Sequence, residues 1–433
     1  MSTHAIGIDF GTTNSSVARA NGAGEIQLAE FPFAGALTES YRSLLYLDKV
    51  KERGASRIKS WSGPAAIEEY LEAETKGRLV QSLKSFLTSR SLKTTDVFGR
   101  RMALEELIAR ILRDLRENAE KQFGEPIRQA VVGRPVRFVG AEKDDDNSFA
   151  EERLASAFQT AGFESVAFEL EPVAAAHYYE STLDHDELIL IGDFGGGTSD
   201  FSLLHVGPSI RKRGRRPSDL LGNSGVGLAG DAFDARIVRN LVSPALGRGS
   251  QARSMNKVLP AVPNWVYAKL ERWHHLSFLR TSAVLNMLSS TRAEAFEPEK
   301  IDALLHLIQE DLGYELHRSV QRVKRDLSEH NAAPFQFSDG VIEIKAMVKR
   351  AEFEEWIAED LAQIEAAVDS LIAEARIARA DVDMVFLTGG SSFVPAVRRI
   401  FESRFGAARI RTGNEFTSVA RGLAVSAAGR LAV

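Results

Sequence analysis

Two short stretches of the chain carry the residue types that grip phosphate. The first runs Asp9-Phe10-Gly11-Thr12-Thr13 and the second Asp193-Phe194-Gly195-Gly196-Gly197-Thr198-Ser199-Asp200. Glycine lets backbone N–H groups approach phosphate oxygens because no Cβ intervenes, and threonine hydroxyls add donors that rotate toward an anion. A carboxylate at the end of each preceding strand, Asp9 or Asp193, suits a magnesium ion held through ordered water, since that ion dehydrates reluctantly. Either turn alone is equally an ordinary hairpin tip. Their recurrence with matched Asp residues points instead to a duplicated element, two copies of which would grip one polyphosphate from opposite sides.

The surrounding text supplies the elements to hold such loops. Both stretches read as an apolar strand, a Gly/Thr turn and a second strand: "HAIGIDFGTTNSSVARA" and "ELILIGDFGGGTSDFSLLHV". Between them, Leu104, Leu107, Ile108, Ile111, Leu112 and Leu115 are spaced for one apolar face of a helix over Leu104 to Phe123. The region from Tyr41 to Arg101 reads as an inserted subdomain, with a strand at "RSLLYLD" and helices near Ala65 to Glu74 and Gly77 to Thr88. Asp144, Asp145, Asp146 and Asn147 precede a helix from about Glu151 and fit either its positive start or a solvated loop. From Asp231 to about Leu327 the chain is mainly helical, and a single helix is expected from Arg350 to Ala375. The basic run Arg211 to Arg216 fits an exposed hairpin tip or a site for an acidic partner.

Length and composition set the bounds. At 433 residues the chain exceeds one ordinary core, so two large lobes are expected, 1–187 and 188–433, with insertions near 36–103 and 229–350. The 54 basic and 59 acidic residues nearly cancel, so no overall field favours nucleic acid or anionic lipid. Cysteine is absent, which removes disulfides and thiolate chemistry and fits a reducing compartment. No run approaches the roughly 18 consecutive apolar residues of a membrane span. A cytoplasmic protein without a membrane partner is the expectation.

Taken together, these segments resemble the nucleotide-binding domain of the DnaK-type heat-shock chaperones, within the actin, hexokinase and heat-shock ATPase superfamily. "GIDFGTTNS" looks like the first phosphate loop, bringing in Asn14, and "IGDFGGGTSDFSLL" the second. "ELEPVAAA" is similar to the segment whose glutamate links nucleotide state to lobe motion, here Glu171, and "SLKSFL" to the one with a lysine near the γ-phosphate, here Lys84. "GVGLAGDAFD" resembles the loop near ribose and phosphates, with Gly230 and Asp231. "VKRDLS" resembles the adenosine helix, with Lys324, Arg325 and Ser328, and "LTGGSSFVP" the adenosine-side turn, with Gly389, Gly390 and Ser391. The resemblance implies an α/β, actin-like fold with a duplicated mixed sheet in each lobe and a nucleotide cleft between lobes. It also implies ATP or ADP with magnesium, Lys84 offsetting charge, Thr198 holding the γ-phosphate, Asp193 or Asp200 orienting water, and an unidentified protein partner.

Some positions depart from the family pattern. Gln321, Ala232 and Phe416 stand where the family usually has acidic residues, so the nucleoside side matches less well than the phosphate side. Only eleven residues follow Gly422 (433 − 422), so no peptide-binding domain is expected, as in the YegD-type branch, whose "VVGRPV" text is also similar. A slow ATPase with a chaperone-like role is the leading expectation. A small-molecule kinase of the same superfamily and a non-enzymatic, ATP-gated scaffold are the alternatives.

Overall fold

In the computed structural model, residues 6–20, 25–33, 35–52, 55–73, 77–254, 257–413 and 417–431 are described. Phe416 lies outside them. The described chain forms two compact units, one of residues 1–230 with 362–433 and one of residues 231–361.

The first unit contains the same five-stranded pattern twice. In the first sheet, β1 (Ile6–Phe10) runs antiparallel to β2 (Asn14–Ala20), which pairs with β3 (Ile26–Leu28). On its other side β1 runs parallel to β4 (Gln129–Arg134), itself parallel to β5 (Ser165–Leu170), giving the order β5-β4-β1-β2-β3. The two-residue strand Tyr41–Arg42 adds to β2. In the second sheet, β6 (Glu187–Phe194) runs antiparallel to β7 (Ser199–Val206) and parallel to β9 (Met384–Thr388). With β8 (Leu220–Val226) and β10 (Ile410–Thr412) at the edges the order is β10-β9-β6-β7-β8. Each sheet therefore centres on the first strand of a Gly/Thr hairpin. Every residue of β6 is buried, as its continuous apolar text requires of a central strand covered on both faces.

Helices fasten these sheets. On α1 (Leu104–Phe123) the six apolar residues at helical spacing are all buried, packing with β1 and with α2 (Asp144–Thr160) in one core. Each such side chain contributes about 1.5–3 kcal/mol. Gly124, in the left-handed region at φ 74°, ends α1. A second core joins α3 (Glu171–Glu180) and α4 (Ser418–Leu431) to strands of both sheets through Ala174, Ala175, Val419 and Leu423, with Val131, Ile189 and Leu204. The two helices touch backbone to backbone. A Cβ on Gly422 would fall 1.6 Å from the Ala174 carbonyl oxygen, so no larger residue fits there.

Several local expectations change. The helix expected at Gly77 to Thr88 is instead a strand, Arg78–Gln81, followed by the short turn Leu83–Phe86. That strand pairs with Leu44–Glu52, the middle strand of a three-stranded sheet, and the tertiary pairing overrides a helix-like apolar spacing. Asp144, Asp145 and Asp146 form the first turn of α2, where Asp146 Oδ2 accepts from the Glu142 and Lys143 N–H groups. The helix expected over Arg350 to Ala375 is broken into Arg350–Trp356 and Ala358–Ala375. The basic run is a short helix, Pro208–Arg213, and a turn rather than a hairpin tip. Arg213 pairs with Asp219 and Arg215 with Glu180, so part of its charge is neutralised internally.

The second unit holds the helices Asn264–Leu270, Ser282–Glu294, Pro298–Gln309 and Gly313–Glu329. It also holds the hairpin Ala332–Ser338 with Glu343–Lys349, which buries Ala333, Phe335 and Phe337 on one face. Among the described residues no helix is long and apolar enough to cross a membrane.

Candidate functional site

The two Gly/Thr hairpins are built alike and held differently. In the first, Asp9 lies opposite Ser16 and Phe10 opposite Ser15, leaving Gly11, Thr12 and Thr13 as the tip. The tip is tied down: the Thr13 carbonyl accepts from Ser43 N–H at 2.9 Å and Asn14 Oδ1 from the Arg42 guanidinium at 3.0 Å. In the second, Asp193 lies opposite Asp200 and Phe194 opposite Ser199. Gly195 N–H donates to the Thr198 carbonyl at 3.0 Å, and the Gly195 carbonyl accepts from Gly230 N–H at 3.4 Å. Gly389, at φ 84°, passes so close to Phe194 that a Cβ would fall 2.1 Å from its carbonyl oxygen. The turn Gly390–Phe393, with Ser391 buried, is thereby set beside the second hairpin.

The tips meet. A Cβ on Gly197 would stand 3.2 Å from Thr12 Oγ1 and 3.0 Å from Val139 Cγ2, so the two loops face one another with only a glycine's width between them. An anion at this point would be within reach of hydroxyls and N–H groups of both.

Charge concentrates below the tips. Lys84 Nζ donates to Glu171 Oε1 at 2.7 Å, both side chains being under a tenth exposed. Lys84 comes from the short turn Leu83–Phe86, entered through Ser82 in the left-handed region at φ 57°. Glu171 is the first residue of α3, at its positive end, with Pro172 following. Asp9, Asp193 and Asp200 lie within electrostatic reach of this pair. Burial, then the Glu171 charge, pushes the Asp9 carboxyl up to about 7 against the pull of Lys84. Asp9 retains some exposed area although protein encloses it on nearly all sides. Asp193 is raised well above the usual carboxylate range by burial and by the charges of Glu171, Asp9 and Asp200. Asp200 is pushed up to about 7 by burial and Glu171. Its Oδ1 accepts from Val136 N–H at 2.7 Å and Arg137 N–H at 3.3 Å. The Thr198 hydroxyl lies near this carboxylate without a hydrogen bond of normal geometry, leaving Oδ2 buried and unpartnered.

This donor set fits a hard divalent cation. Four carboxylates stand against one ammonium, all their ligating atoms are oxygen, and one buried oxygen has no partner. Among the described residues no three Asp, Glu or His side chains are arranged to enclose a metal directly.

The remaining sequence candidates are in the second unit. Asp231 follows Gly230 at the start of the helix Gly230–Ile237. Lys324 pairs with Asp234 at 2.7 Å, Arg325 is largely exposed, and Ser328 Oγ donates to the Lys324 carbonyl at 3.3 Å. The sequence reading missed the Val136 and Arg137 N–H donors on Asp200 and the Arg42 anchor of Asn14. Backbone donors leave no trace in residue type, although "VVGRPV" runs directly into the first pair.

Residues 57–256 and 293–430 match the Hsp70 protein family. The chain belongs to the Hsp70 family. Relatives include the chaperone protein DnaK of Deinococcus deserti, 26% identical over 98% of this chain and 59% of that protein. The DnaK of Guillardia theta is likewise 26% identical over 98% of this chain and 59% of its own. The chloroplastic stromal 70 kDa heat shock-related protein of Spinacia oleracea is 28% identical over 76% of this chain and 45% of its own length. The chain thus spans about three-fifths of the length of these two DnaK relatives and less than half of the chloroplastic one. The two mixed sheets flanked by helices agree with the actin-like ATPase fold of Hsp70 proteins, whose nucleotide domains bind ATP or ADP with magnesium.

Proposed function

We propose that this chain binds ATP with magnesium between its two Gly/Thr hairpins and hydrolyses it slowly. The observation that carries the reading is the buried Lys84–Glu171 pair lying among Asp9, Asp193 and Asp200, beneath two loops that meet at Gly197 and Thr12. Gly11, Thr12, Thr13, Asn14, Gly195, Gly196 and Gly197 would cradle the phosphates by N–H and hydroxyl donation. Magnesium, held by Asp9 and Asp193 through its own waters, would supply neutralising charge at the phosphate oxygens.

The side chains then divide the work by position. Thr198 would hold the γ-phosphate, and Lys84 Nζ, fixed by Glu171, would oppose charge that develops on the transferred group. Asp200, oriented by the Val136 and Arg137 N–H groups, could accept a proton from the attacking water, because a carboxyl near 7 is half ionised at neutral pH. Phosphoryl transfer of this kind depends on positioning and electrostatics, without a covalent enzyme intermediate. On the nucleoside side, Gly230, Gly389, Gly390 and Ser391 of the first unit would take the ribose and base, and Asp231, Lys324, Arg325 and Ser328 of the second unit are candidates by family resemblance alone. Glu171, at the head of a helix that joins the cores of both sheets, would pass nucleotide state to closure of lobes 1–187 and 188–433. A chaperone-like role of the YegD type, in the cytoplasm and with a protein partner, completes the reading.

Phosphate release from ATP, measured with magnesium and with chelator in the absence of any acceptor, tests it. Slow magnesium-dependent release is expected. Transfer only to an added sugar would instead identify a kinase, and binding without turnover a nucleotide-gated scaffold. If neither binding nor turnover occurs, the nucleotide reading fails.

A further inference from the structure

The turn that buries Lys84 also carries Ser85, to which the mechanism above gives no role. Ser85 is half-exposed, and among the described residues its hydroxyl has no hydrogen-bond partner in the protein. It stands at the junction of the two loops: a Cβ on Gly197 would lie 3.6 Å from Ser85 Oγ and 3.2 Å from Thr12 Oγ1. Two hydroxyls from segments far apart in sequence therefore flank the face of the second loop that has no side chain. Ser82 explains how neighbours in sequence reach different targets. Its left-handed backbone, at φ 57°, turns the chain so that Lys84 meets Glu171 while Ser85 meets Gly197. Non-glycine residues adopt that conformation seldom, and such outliers gather where a side chain must be aimed. Ser82 Oγ and Gln81 Oε1 are moreover buried without partners, so side-chain hydrogen bonding does not account for the left-handed entry to the turn.

We propose that Ser85 contacts the terminal phosphate and sets the preference of this site for a nucleoside triphosphate over a diphosphate. The proposal rests on the nucleotide reading above. A free hydroxyl beside a glycine loop donates to an anionic oxygen, and a hydrogen bond to a charged partner is stronger than one between neutral groups. Its place next to Lys84, the one ammonium among the buried carboxylates, puts it at the part of the ligand with the most negative charge. A diphosphate lacks that part and would forgo the contact.

The test measures affinity, not turnover. Titration calorimetry with a non-hydrolysable ATP analogue and with ADP, both with magnesium, compares the wild-type protein with Ser85→Ala and Ser85→Thr. Ser85→Ala should weaken the triphosphate analogue about tenfold and leave ADP within about twofold, the size expected for one charge-assisted hydrogen bond. Ser85→Thr, which keeps the hydroxyl, should retain the wild-type ratio. Thermal melts of the free proteins should coincide, showing that the fold is intact. An unchanged ratio in Ser85→Ala, or an equal loss for both ligands, overturns the role of Ser85 while leaving the nucleotide reading standing. A wild-type protein that binds neither ligand removes both.

Discussion

The two hairpins share a backbone plan but differ in the number of carboxylates they carry. Across the strands, the first pairs Asp9 with the neutral Ser16, while the second pairs Asp193 with another carboxylate, Asp200. The first tip is anchored by Ser43 and Arg42 and its threonines are buried. The second tip has three successive glycines, of which Gly195 is exposed. A duplicated element has thus diverged into a jaw with one carboxylate, anchored through Ser43 and Arg42, and a more acidic one, anchored through Gly230. The acidic jaw concentrates buried negative charge, which costs stability in the free protein and becomes useful only when a cation and phosphates arrive.

Making the first hairpin resemble the second should have the largest effect. Ser16→Asp places another carboxylate opposite Asp9 in a site that is 1% exposed. An uncompensated buried charge costs about 3–5 kcal/mol, so chemical denaturation at pH 8 should reveal a loss of that order. At pH 5, where the new group can stay protonated, the loss should shrink. Equal losses at both pH values would point to steric disruption and break the charge argument.

Next in size is Lys84→Ala. Turnover at saturating ATP should fall roughly 100-fold, as for removal of one group that stabilises developing charge, with a smaller change in ATP affinity. The substitution also strands Glu171, so Lys84→Met with Glu171→Gln serves as a control that should recover stability and not turnover. Wild-type turnover in Lys84→Ala would refute its assignment. Asp193→Asn should act more mildly, raising the magnesium concentration needed for half-maximal phosphate release by about tenfold, as expected for one charged hydrogen bond to a bound water. An unaltered magnesium requirement would move the ion away from the acidic jaw.

The hairpins were legible in the sequence because a strand, a glycine turn and a strand are local, and because the text occurs twice. That each sheet would repeat the other strand for strand follows from the same duplication. Lys84 and Glu171 could be paired only through family resemblance, since 87 residues separate them and neither has a local signature. Tertiary pairing defeated the local reading at Arg78–Gln81, where residues spaced for a helix were recruited as an edge strand beside Leu44–Leu47. The Arg211 to Arg216 run failed differently. Its partner Glu180 belongs to α3, and no composition rule announces an ion pair at that distance along the chain.

The smallest effect separates the jaws by pH alone. Asp200 has its carboxyl raised from 3.8 to about 7, so between those values the folded protein holds a proton that the unfolded chain has released. The contribution of this one group to the stability of the free protein therefore falls as pH rises from about 4 to about 7, by at most about 1.4 kcal/mol per unit. Asp200→Asn removes that group and should make the fall in melting temperature across the window shallower, Asp9 and Asp193 keeping the rest of it, and should make the free protein more stable than wild type near pH 8. Magnesium with nucleotide should do for the wild type what the substitution does without ligand, because bound cation takes over the role of the proton. Ser16→Ala, which removes no titrating group, should leave the slope as it is. A wild-type melting temperature that rises steadily from pH 4 to pH 7 would show that the acidic jaw is ionised at little cost, and the contrast between the hairpins would then lie in how each tip is anchored instead of in charge.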